Sequence, residues 1–447
     1  MASQDLVLDP ERVIRRALAL GADEAEVYLV ESRSLMARSA RGRISRITYD
    51  AGVSLGIRVV LGKRKGNAGG DVSREKDVEK IIEDAIKIAK VADEDKDWPG
   101  FPSRLGASGQ PLIYDKAVAE ASPEGIVDLL SEVDSRIESV KGANPIMSGI
   151  GVSESVITIA NSNGGSVTRR ETRFSVYVEA SGGDGGSYVD YVTSAKMDRE
   201  LALSLADRVA KRAIEASGAK IVDTGSYDVI LEPKVAASIL TAVLMPAFSA
   251  DNVQKGRSPL SGKLGETIAD KRLSILDDPY VPWATGSTPF DDEGVPTTRK
   301  YLVESGTLKT FLYDTYTASK ENRESTGNGF RARPWSDPQP DTTNVVIEMP
   351  TMEHDDAIRD IRRGLVVGAT IGEWLSNPVS GMINATITFA YVIEGGEVKR
   401  VAKGMVLSGN IYEILQQKLV GGVGKPECVD SFCTPAIHFR EASIAGK

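Results

Sequence analysis

Two periods alternate along the chain, and they divide it into helices and strands. Val13, Ile14, Ala17 and Leu18 share one helical face. Asp9-Pro10-Glu11 opens that helix, with Asp as cap and Pro in the first turn, and Gly21 closes it. Strand-like segments follow: AEVYLVES, RISRITYD and VSLGIRVVLG. Ser73 opens a second helix with Val78, Ile81, Ile82, Ala85 and Ala89 on one side. The Pro-, Gly- and Ser-rich stretch 98–111 reads as a linker.

Beyond the linker the grammar repeats. Ser122-Pro123-Glu124 starts a helix over 122–140, and the strands SESVITIA and RFSVYVEAS flank a turn at Asn161–Gly165. In the second strand Phe174, Val176, Val178 and Ala180 alternate with polar residues and Tyr177, as in a half-buried strand. A helix from Asp198 carries Leu201, Leu205 and Val209 and ends at Gly218. From Ser226 the pattern changes again. DVILE is a strand, 234–245 is a buried helix, LVESGTLKTFLYD and AYVIEGGEVKRVAK are hairpins, and 353–363 is a helix among strands. Without regular βαβ alternation the fold class is α+β. The expected blocks are 1–105 and 106–222, both α+β layers, and 223–447, a strongly curved, barrel-like antiparallel sheet with packed helices.

The 447 residues fit two or three domains at roughly 100–200 residues each. Apolar residues make up 41%, enough for real cores. The net charge of -9 mixes 54 basic with 63 acidic residues and shows no basic domain, so direct nucleic-acid binding is not expected. The N-terminus lacks a basic start and apolar run, and no run approaches about 18 apolar residues, so a cytoplasmic chain without membrane spans is expected.

Candidate chemistry is sparse. The triplet of acids in PFDDEGVPT, 289–297, suggests a metal site, but successive strand residues point to opposite faces. No Ca-loop spacing follows, and a solvated turn capping a hairpin is expected. The glycine-rich STGNGFR, 325–331, lacks the Gly-Lys-Ser/Thr ending of a phosphate loop and reads as a tight loop where backbone approaches closely. Cys428, Cys433 and His438 form a string at equal spacing, more simply two ordinary thiols in a β region than a zinc site. The count of two cysteines excludes a disulfide scaffold. His354 reads as a surface residue, and with only two histidines no catalytic triad is arguable.

Taken together, AEVY, GRISRITYDAGVSLGIRVV and GNAGG in the first part, with SPLSGKLGE, FDDEGVPT, VESGTLKTFLYD, STGNG and SGMINATITFAYVIEGGEVKRVAKGMVLSGNIYEIL later, resemble the TldD/PmbA family. Its members are proposed as peptidases and as modulators of DNA gyrase, and the likeness covers the whole chain. One branch, TldD-type, carries HExxxH on a helix, where two histidines help hold zinc and the Glu activates water. The matching positions here are Thr241, Ala242 and Pro246, and none can bind zinc or take a proton.

The resemblance therefore places this chain in the PmbA/TldE branch. It implies a TldD-type HExxxH paralogue as partner, zinc in that partner and none here, and a peptide or unfolded polypeptide as substrate. The chain alone is expected to be inactive. The alternatives are a stand-alone or homodimeric peptidase with an atypical metal site drawing on Cys428, Cys433 or His438, and a non-proteolytic regulator of the gyrase-modulator type. A peptide can bind by adding a strand to a sheet edge. The expected substrate loop is Thr326-Gly327-Asn328-Gly329, with Arg331 beside it for acidic groups.

Overall fold

A computed structural model describes residues 8–447, so the reading of the extreme N-terminus as leaderless falls outside the described residues. The helices begin where the capping grammar places them. Helix α1 (Pro10–Ala19) starts at Asp9, which accepts from Glu11 N–H at 3.0 Å. The 123–139 helix starts at Ser122, whose hydroxyl accepts from Gly125 N–H at 3.1 Å. The 199–215 helix starts at Asp198, which accepts from Leu201 N–H at 2.9 Å. Each cap satisfies an amide that has no partner within its helix.

The first two expected blocks share one sheet. Strands β1 (Glu24–Ala40), β2 (Arg43–Leu61) and β3 (Arg64–Val72) join β4 (Ala143–Asn161), β5 (Ser166–Gly182) and β6 (Gly186–Ser194) in a six-stranded half-barrel, in the order β3-β2-β1-β4-β5-β6. RISRITYD and VSLGIRVVLG, expected as two strands, are one, since Gly52 continues the pairing with β1. Strand β3 escapes sequence patterning because it is rich in glycine. A Cβ at Gly66 would lie 2.1 Å from the carbonyl oxygen of Ala85, so glycine lets helix α2 (Glu75–Val91) seat directly on this strand.

Helices cover one face of the sheet and bury two apolar clusters there, one with Ile82 and Leu55, the other with Leu130, Phe174 and Val209. The other, inner face is left to the C-terminal body. The expected linker is not a free connector. Phe101 is buried, and Gly106 N–H donates to the carbonyl of Gly294 at 3.0 Å.

The C-terminal body is a closed barrel. Strand β7 (Gly225–Leu231) pairs with Arg363–Ile371 on one side and with Phe432–Ala445 on the other. The ring closes through Met382–Glu394 and Met405–Asn410. The pairing of β7 with Arg363–Ile371 is parallel, a departure from the antiparallel expectation. Helix Pro233–Val243 contributes Val235, Ile239, Leu240 and Val243 to the largest apolar core. The helix expected over 353–363 is shorter, His354–Arg359, because Arg363 already starts a barrel strand.

Candidate functional site

The two acidic and glycine-rich motifs meet where the barrel docks on the inner face of the sheet. Phe290 packs on Tyr28, Ile157 and Ile159. Asp291 is 0% exposed, Asp292 6% and Glu293 4%, so the expected solvated turn is instead an internal polar core. Neighbours on other elements, invisible in one stretch of sequence, provide the partners that make burial tolerable. Asp291 accepts from the N–H groups of Glu293 (2.9 Å), Val295 (3.0 Å) and Gly329 (2.8 Å). Asp292 accepts from the Tyr28 hydroxyl at 2.8 Å and from Arg169 at 2.9 Å. Glu293 accepts from Thr315 N–H at 2.7 Å. Burial, then Glu293, pushes Asp291 well above the usual carboxylate range. Burial, then the carboxylate of Asp314, pushes Glu293 up to about 7.

The expected substrate loop lines this core. Asn328 is fully buried, and its amide donates to Asp277 at 2.9 Å and to the carbonyl of Asp341 at 2.8 Å. Thr326 donates to Asn328 at 2.8 Å. A Cβ at Gly327, where φ is +71°, would lie 2.4 Å from the carbonyl oxygen of Pro296; at Gly329 it would lie 2.6 Å from Glu293 Oε2. Glycine here serves the fit of one motif against the other. Nor is Arg331 free for a peptide's acidic groups. Its side chain is 2% exposed and is ion-paired with Glu26. Glu26 also takes two hydrogen bonds from Arg58, at 2.9 and 3.0 Å. Burial raises the Glu26 carboxyl, but Arg331 and Arg58 outweigh it and hold the carboxyl below its ordinary value. A peptide carboxylate would have to displace Glu26 from this buried pair.

The other predicted positions lie on other elements. Thr241 and Ala242 end helix Pro233–Val243, and Pro246 lies in the short helical turn Met245–Phe248 that follows. Their side chains carry no group able to bind zinc. Cys428 and Cys433, expected as thiols, are joined in a disulfide across a hairpin. His438 is 2% exposed, burial lowers its pKa, and neither ring nitrogen has a hydrogen-bond partner. Among the described residues no three His, Cys, Asp or Glu side chains converge as a metal site.

Sequence reasoning missed a groove on the inner face of the half-barrel. Register places Met36 beside Gly151, Gly149 beside Tyr177, and Tyr177 beside Tyr191. Met36, Met147, Tyr177 and Tyr191 are each about 40% exposed, around a cavity of about 380 Å³ floored by Gly149 and Gly151. Further along β4 a second cavity of about 240 Å³ runs past Ser153, Ser155, Glu171 and Arg173 under Thr285 and Ser287 of the barrel. The signal was present in SGIGVSES: on one face of this strand every second residue is Gly or Ser. A flexible thioether and large rings over a glycine floor suit varied apolar side chains.

This architecture, a half-barrel docked on a closed barrel, is shared with solved structures of one protein family. Its domain models match residues 25–89 (PmbA/TldA metallopeptidase domain 1), 116–216 (central domain) and 224–446 (C-terminal domain), and the chain belongs to the PmbA/TldD family. TldE from Thermococcus kodakarensis is 30% identical, with 98% of this chain and 99% of that chain covered and a TM-score of 0.87. A putative modulator of a DNA gyrase from Thermotoga maritima is 25% identical, over 97% and 99%, at a TM-score of 0.84. A metalloprotease of Methanocaldococcus jannaschii is 27% identical over 415 residues, 90% of each chain. No helix among the described residues is long and apolar enough to cross a membrane.

Proposed function

We propose that this chain is the PmbA/TldE-type subunit of a two-subunit metallopeptidase, and that it binds peptide without cleaving it. One observation carries the reading. The chain is similar over nearly its whole length to TldE, and the positions that the motif resemblance matches to HExxxH hold Thr241, Ala242 and Pro246, which supports a subunit without the zinc ligands. The metal that polarises the scissile carbonyl and activates water then belongs to a TldD-type partner. This chain contributes peptide binding, and the inner-face groove over Gly149 and Gly151 replaces the 326–331 loop as the candidate for it. The test is co-expression with an HExxxH paralogue, co-purification, and cleavage of unfolded casein by each chain alone and by the pair. Cleavage by the pair only is expected. Stoichiometric zinc with full activity in this chain alone overturns the reading.

A further inference from the structure

Beyond the outer sides of its end strands, the half-barrel leaves part of β2 without a strand neighbour. Strand β1 covers one side of β2 along its length, but β3 pairs with the other side only from Val53 to Leu61. The β1–β2 register shifts at Arg38/Ser39, which leaves Ser45 as the extra residue of a bulge. Beyond it, residues 46–52 form a regular strand whose outer amides and carbonyls are open. Natural edges are usually blunted with proline, charge or a bulge. This one has no proline or lysine, its bulge lies before the run, and its charges, Arg46 and Asp50, stand on the inner face and leave the helix side of the edge apolar. Its two faces differ. Ile47 and Tyr49 point to the helix side, 50% and 65% exposed. Tyr49 borders a cavity of about 140 Å³ with Leu35, Val118 and Pro123. On the inner face, Arg46 lies directly opposite Arg38, an arrangement that disfavours a strand pair. Arg41 and Arg43 stand in and beside the hairpin turn.

These arginines are uncommitted. Nearby Arg33 pairs with Glu154, whereas Arg38, Arg41, Arg43 and Arg46 pair with no carboxylate among the described residues. Arg38 donates to the Met36 sulfur and its stem borders the groove over Gly149, and Arg46 donates to the Thr48 hydroxyl. The acids nearby are Glu138, against the turn at Gly42, and Asp50, at the other end of the edge.

We propose that residues 46–52 of β2 are a docking edge for an extended peptide. The peptide would add a strand, seat apolar side chains at alternate positions beside Ile47 and Tyr49, and bring carboxylates at one end to Arg38, Arg43 and Arg46. Backbone pairing and an apolar stripe fit a peptide and not a nucleic acid, which would use only the charge. A second copy pairing through the same edge would bring Asp50 towards Arg46 but leave Arg38 and Arg43 unmet. The proposal goes beyond the paired-peptidase reading, because it needs this chain alone and no cleavage.

The probe is a fluorescein-labelled peptide with three glutamates followed by alternating valine and threonine, with anisotropy read on the full chain. Saturable binding is expected. It should weaken at least about tenfold when alternate peptide amides are N-methylated, when lysines replace the glutamates, and in Arg43→Gln/Arg46→Gln, neither of which lines the groove over Gly149. The N-methylated peptide probes the edge on the unaltered protein, so that comparison holds however the variant folds. Equal binding of the N-methylated or lysine peptide, or no saturation by about 1 mM, overturns the proposal. So does a dimer in sedimentation that Thr48→Pro disperses and the peptide leaves unchanged, since the edge then belongs to a second copy.

Discussion

Glu293 shows how far a single side chain can depart from what its sequence neighbours suggest. Buried beside Asp291 and Asp314, it has a carboxyl pushed from 4.5 to about 7. Because the folded value is the higher one, its stabilising contribution is complete below pH 4.5 and is lost as pH rises through about 7. The loss is on the order of 3 kcal/mol. Urea melts between about pH 5 and 8 should show stability falling, and Glu293→Gln should flatten that fall. A wild-type slope retained by the variant would place the titrating group elsewhere. Arg331 is a second case. Arg331→Ala leaves Glu26 with one of its two buried cations removed and should cost about 3–5 kcal/mol. The readout is a lowered melting temperature; weaker peptide binding at unchanged stability would restore the substrate role. Gly327→Val should also destabilise, since its Cβ would strike the Pro296 carbonyl.

At the scale of elements, β4 does two jobs with one alternation. Ile150 and Val152 build the core beneath the helices, while Gly149, Gly151, Ser153 and Ser155 leave the inner face low. Gly149 is the one to alter. A Cβ there meets nothing closer than 3.7 Å, so valine fits the strand and fills the groove. Gly149→Val should reduce peptide cleavage by the reconstituted pair several-fold, with the melting temperature within about 3 °C of wild type. Normal cleavage would remove this groove from the peptide's path.

In the whole molecule, the half-barrel and the barrel are fastened by charge as much as by apolar contact. Asp292 reaches Tyr28 and Arg169, Arg331 reaches Glu26, and Pro334 sits where a Cβ at Gly56 would lie 2.0 Å from its carbonyl oxygen. Breaking one part of such a junction leaves buried charge behind in both bodies. Calorimetry should therefore show a single unfolding transition for the intact chain. Asp292→Ala should lower it or split it in two, and an unchanged single transition would show that the junction is not what couples the bodies.

The sequence alone determined the local elements, because caps, turns and apolar periods act over a few residues: the helices at Pro10, Pro123, Arg199 and Pro233 and the hairpins at Asn161 and Gly395 were all legible. Motif spelling was also enough to name the family. Only the tertiary structure decided what the acidic and glycine-rich motifs do. FDDEG looks solvated when read in line, since its partners Tyr28, Arg169 and Gly329 lie far away in the chain. The same distance hid the union of two blocks in one sheet, the barrel closed by strand pairing between Gly225–Leu231 and Phe432–Ala445, and the groove. Burial, and with it the ionisation of Glu293, depends on which remote surfaces meet, and a one-dimensional pattern carries no record of that meeting.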